Sequence, residues 1–154
     1  MRRARPLIVA AVMVAVLALI GCGDDTDEKN EYVGQVNDVT ATLNTGLGEV
    51  ANQAGALPSP ADSSRVFRDF AAQLDTAAAE ISAISPPEDV ADLHDRLVEQ
   101  LERLSAEATN AADEISAGGQ AAVAGVATQF VAEANSLSAE ADGTIAEINS
   151  VLQE

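Results

Sequence analysis

From Glu31 to the C-terminus the apolar residues recur at intervals of three and four, the spacing that lines them along one face of an α-helix. Four such stripes follow one another. The first is Tyr32, Val36, Val39, Leu43, Leu47, Val50 and Ala54, and the second is Phe67, Phe70, Leu74, Ala77, Ile81 and Ile84. The third runs Val90, Leu93, Leu97, Leu101, Leu104, Ala108, Ala111 and Ile115, and the fourth Val123, Val126, Phe130, Ala134, Leu137, Ala141, Ile145, Ile148 and Leu152. No useful stretch alternates with a period of two, so strands are not expected and the chain reads as all-α.

The segments between the stripes hold helix-boundary residues. Ser59-Pro60-Ala61-Asp62 sets a capping serine before a proline at the first helical position, and Ser85-Pro86-Pro87-Glu88 is expected to open the third helix in the same way. Gly55-Ala56-Leu57-Pro58 ends the first helix, and Gly118-Gly119 ends the third. Short connections between long helices favour antiparallel neighbours, which predicts an up-down-up-down four-helix bundle over residues 31–154. Gly34, Gly46 and Gly48 weaken the first helix by about 0.5–1 kcal/mol each. The alternative is therefore a three-helix bundle with a first helix that is broken near Gly46 or loosely docked. In the third helix, Asp92 with Arg96 and Glu99 with Arg103 form an i, i+4 ladder in the favoured acid-first order.

Residues 1–30 follow a different pattern. Met1-Arg2-Arg3-Ala4-Arg5-Pro6 is basic, Leu7 to Ile20 is an uninterrupted apolar run, and Gly21-Cys22-Gly23 leads into an acidic stretch. The apolar run is shorter than the roughly 20 residues a membrane-spanning helix needs. Leu19-Ile20-Gly21-Cys22 resembles the lipobox of bacterial lipoprotein precursors, with a branched apolar residue three before the cysteine and a small residue just before it. The resemblance implies a signal peptide of residues 1–21, cleavage between Gly21 and Cys22, and a thioether-linked diacylglycerol on Cys22. Residues 22–30 would then be a solvated acidic tether. The implied location is the extracytoplasmic face of a bacterial membrane, where two acyl chains hold a protein that one would hold only marginally.

Composition narrows the chemistry. The 154 residues include 25 acidic and 8 basic side chains, a net charge of −17, and only 3% aromatic residues. Loss of a leader removes Arg2, Arg3 and Arg5 as well, which deepens the charge by three, to −20. Nucleic-acid binding is excluded for want of a cationic surface. Such a surface repels anionic lipids and favours basic partners and divalent cations. A lone cysteine excludes an internal disulfide, and a lone histidine excludes His-rich metal sites.

Candidate chemistry is sparse. His94 flanks the third stripe and is expected at the edge of the core with its ring partly in water. Ala91 stands three residues before it, where a helix-borne di-iron site needs glutamate. No Gly-x-Ser-x-Gly elbow occurs, and the glycine pair lacks the lysine and hydroxyl of a phosphate loop. Phe67, Phe70 and Phe130 lie on the stripes and are expected to pack in the core. The segment Ile84-Ser85-Pro86-Pro87-Glu88-Asp89-Val90-Ala91-Asp92-Leu93-His94-Asp95-Arg96-Leu97 looks like the helix, double-proline turn and histidine-bearing helix of uncharacterised helical lipoproteins of actinobacteria, a likeness that implies no activity.

The expectation is thus a non-enzymatic lipoprotein without cofactor, catalytic residue or metal ligand. It would be held to the membrane through diacylglyceryl-Cys22 and act as an interaction or spacer module toward another envelope protein. The alternative is a ligand-binding lipoprotein that takes an apolar molecule or a divalent cation. A hydrolase using His94 with Asp95 or a nearby serine is the remaining reading. Oligomeric state is open, because long helices with small faces pair within or between chains.

Overall fold

Ser59 shows how closely local chemistry sets the helix ends. Its hydroxyl accepts the Asp62 backbone N–H at 3.2 Å and donates to Asp62 Oδ2 at 2.6 Å, while Pro60 occupies the first helical turn, where no N–H is required. The computed structural model describes residues 26–54 and 59–153. Within them lie helices α1 (Thr26–Ala54), α2 (Pro60–Ser82), α3 (Ala91–Gly118) and α4 (Gln120–Leu152), with a 3-10 turn at Glu88–Val90 and no strand among the described residues. The protein is an all-α bundle of four helices.

Two helix starts differ from expectation, and the alternative of a break near Gly46 is not realised. The helix α1 begins at Thr26, six residues ahead of the first stripe residue Tyr32, with Asp27 and Glu28 in its first turn complementing the helix dipole. Its backbone continues unbroken through Gly46 and Gly48 to Ala54. Ser85 caps nothing: residues 85–87 are irregular, Pro87 (φ −55°, ψ 146°) precedes the 3-10 turn as its cap residue, and α3 starts only at Ala91. The cause is the proline pair, since each proline drives the residue before it out of the helical region.

Pairing between helices follows from side-chain reach. Ser64 Oγ donates to the Ala112 carbonyl at 2.9 Å, Arg68 meets Asp113 at 3.0 Å, and Ser105 Oγ donates to the Ala71 carbonyl at 3.1 Å. From Ser64 with Ala112 to Ala71 with Ser105 the numbering rises on α2 and falls on α3, so the two run antiparallel. Likewise Arg96 with Glu147, Gln100 with Thr144 and Arg103 with Glu140 set α3 antiparallel to α4. The α2–α3 seam is built from small residues, with Ala71, Ala78, Ala108, Ala111, Ala112, Ser64 and Ser105 all buried. Helix α1 lies against α2, α4 lies against α3, and among the described residues α1 and α4 share no comparable approach.

The core joins all four helices through Val36, Leu43, Phe70, Leu74, Ile81, Leu97, Leu101, Leu137, Ile145 and Ile148, in agreement with the stripes. Leu47, Val50 and Ala54 of the first stripe lie outside the residues whose side chains are described. The first half of α4 departs from its stripe. Val123, Val126 and Phe130 are only half-buried, and Val131 is 47% exposed, because apolar residues stand on every side of that segment. The arginines also depart from the ladder predicted along α3. Arg96 and Arg103 reach across to α4, to Glu147 and Glu140, rather than back to Asp92 and Glu99. Both pairs are exposed, so each contributes about 0–1 kcal/mol.

A single residue joins α3 to α4. Gly119 has φ 60° and ψ −151°, a backbone region open essentially to glycine alone, and its N–H reaches the Ile115 carbonyl at 2.9 Å. Gly119→Ala is expected to destabilise the chain by about 1–3 kcal/mol. Urea unfolding at neutral pH would show this as a lower midpoint with an unchanged slope.

Candidate functional site

Cys22 and Gly21, the residues expected to carry lipidation and cleavage, lie outside the described residues. The remaining titratable candidate, His94, sits in the first turn of α3 and is not at the core edge as expected. It is 2% exposed, and the adjacent Leu93 is only half-buried, so the imidazole takes the inward place. The reason is a partner from α1. The Tyr32 hydroxyl lies 3.3 Å from His94 Nδ1, the rings are tilted with centroids 5.8 Å apart, and Tyr32 is also 2% exposed. With the ring proton on Nε2, the phenol donates to Nδ1, which pairs the hydroxyl with the ring nitrogen away from water.

Burial moves both groups toward neutrality. It pushes the Tyr32 phenol up to about 12. It also holds His94 below its ordinary value, partly opposed by the charge of Asp95 on the same helix. This pair is a neutral hydrogen-bonded clasp between α1 and α3. Proton transfer from it to a substrate would require opening the core. The signal for the pairing was slight: Tyr32 is the only tyrosine, but 62 residues separate the partners.

Of the three phenylalanines expected in the core only Phe70 is buried, while Phe67 and Phe130 are half-buried and meet at its edge. Phe130 of α4 packs edge-on against Phe67 and Phe70 of α2, at centroid distances of 5.0 and 5.8 Å. The cavity beside Phe130, toward Glu107 and Glu133, is about 20 Å³, room for roughly one water. Among the described residues no group of three or more His, Cys, Asp or Glu side chains could hold a metal ion.

The larger concavity is a groove of about 600 Å³ between α1 and α2, floored by Val39, Leu43 and Ala77. Its walls carry Thr42 and Thr45 from α1 and Gln73, Thr76 and Glu80 from α2. Gln73 Oε1 is enclosed without a hydrogen-bond partner. Sequence reading missed this groove because its threonines fall on helix faces that look like ordinary solvated surface. No protein-family model, curated protein or solved structure matches the chain.

Two outcomes are expected for the clasp. Because the folded His94 pKa lies below the unfolded value near 6.5, the unfolded chain binds the proton first. The clasp's contribution is full above that value and is lost as pH falls from about 6.5 through the folded pKa. Unfolding free energies measured from pH 7.5 to 4.5 should show this loss relative to a His94→Gln variant, which cannot titrate. Tyr32→Phe leaves Nδ1 buried and unpaired, and should lower stability at pH 7.5 by about 1–3 kcal/mol in chemical denaturation.

Proposed function

We propose that this chain is a lipid-anchored lipoprotein of the bacterial envelope whose helical bundle serves as a non-catalytic interaction or spacer module. One observation carries the reading: Leu19-Ile20-Gly21-Cys22 stands at the end of a basic and then apolar leader. In this reading the leader is removed before Cys22, the thiol carries diacylglycerol, and α1 follows after only Gly23, Asp24 and Asp25. Among the described residues no helix is long and apolar enough to cross a membrane.

The character of the bundle supports a role in contact rather than chemistry. Its histidine is buried and engaged with Tyr32. Each described arginine, at 65, 68, 96 and 103, is paired with a carboxylate, so the excess of acids is presented outward toward basic partners. The groove between α1 and α2 favours a second reading, a lipoprotein that binds an apolar molecule.

Intact-mass measurement of the protein from the membrane fraction tests the anchor. The expected species lacks residues 1–21 and carries a lipid on Cys22. The Cys22→Ala variant should retain its leader and no lipid mass. A wild-type chain with an intact leader and a free thiol would refute the proposal.

A further inference from the structure

The groove between α1 and α2 has a donor and acceptor balance that specifies its ligand more closely than its size does. Its volume, about 600 Å³, lies within the roughly 300–1,000 Å³ typical of small-molecule sites, and its floor of Val39, Leu43 and Ala77 is apolar. The wall hydroxyls are already spent as donors. Thr42 donates to the Asp38 carbonyl at 3.0 Å, Thr45 to Ala41 at 3.0 Å and Thr76 to Ala72 at 2.8 Å. Each therefore offers only lone pairs to anything lying in the groove. Glu80 adds a carboxylate, and the backbone N–H groups of the two helices are engaged within the helices.

Gln73 supplies the one side-chain donor among these lining groups, its amide nitrogen. Its Oε1 has no protein partner, so turning the amide about its last torsion presents a further acceptor at no loss of an internal hydrogen bond. No cationic side chain is among the described residues that line the groove, and the chain's net charge is −17. A carboxylate head would face lone pairs and a like-charged wall, whereas a hydroxyl or ammonium head finds acceptors at every turn.

We propose that the α1–α2 groove binds an elongated apolar molecule whose head donates hydrogen bonds, a hydroxyl or an ammonium, and rejects a carboxylate on the same chain. This rests on the ligand-binding reading and makes no use of acylation at Cys22, so the mass measurement at that residue and the test below fail independently.

The test is the thermal unfolding of the purified full chain, followed by far-ultraviolet circular dichroism with decanol, decylamine or decanoate below their aggregation limits. Decanol or decylamine should raise the transition by about 5–10 °C once present at roughly a hundredfold excess over its dissociation constant, with decanoate giving no rise. Ala72→Trp and Thr76→Trp place an indole at two exposed positions of the groove wall without touching the core. Both variants should melt like the parent alone and lose the rise. A rise with either donor-headed chain that both substitutions remove supports the proposal. No rise with either, an equal rise with decanoate, or a rise that survives in either variant overturns it.

Discussion

The approach of α2 to α3 across a seam of alanine and serine is the constraint on which the rest of the bundle depends. With 3% aromatic residues and no tryptophan, the chain has few side chains able to fill a wide gap between helices. Ala71, Ala78, Ala108 and Ala112 let the two backbones come close enough for Ser64 and Ser105 to reach carbonyls on the facing helix. Hydroxyls buried without such partners would each cost about 1–3 kcal/mol, so the polar reach and the small residues require one another. Larger residues beyond the seam, including Leu74, Leu97, Leu101 and Ile115, supply most of the apolar volume.

The two outer helices are held by different means. Helix α4 is fixed to α3 along its second half by Leu137, Ala141, Ile145 and Ile148, with Gln100 donating to Thr144 inside and two arginine–glutamate pairs outside. Helix α1 is held at its N-terminal end by Tyr32, Val33 and Val36 together with the hydrogen bond to His94. Farther along, threonines replace aliphatic residues where α1 faces α2, and the groove opens there. The groove is thus a local result of residue choice on two otherwise well-formed helices.

Much of the fold was legible in the sequence, and the reason is periodicity. The stripes on α2, α3 and the second half of α4 match the buried positions, and the Ser59-Pro60 start is the cap it resembles. What local pattern could not show was the choice among partners distant in sequence. His94 looked peripheral because it flanks the third stripe rather than lying on it, and only Tyr32 from another helix gives the buried ring a partner. The i, i+4 spacing of Arg96 and Arg103 pointed along α3, whereas opposing glutamates on α4 lay within reach. Pro86-Pro87 was read as a helix start, yet two prolines in succession keep the chain out of a helix first. The groove was the least legible part, since threonine hydroxyls that bond to their own helix look in a sequence like any solvated surface.

The one-residue joint at Gly119 bears on how such a chain can vary. Adding or deleting one residue within α3 would turn everything beyond it by about 100° around the helix axis. With no loop to absorb that rotation, Leu137, Ile145 and Ile148 would swing away from α3 together. Drift in this hairpin is therefore free to exchange letters far more readily than to change their number, and descendants should keep its spacing long after their residues have diverged.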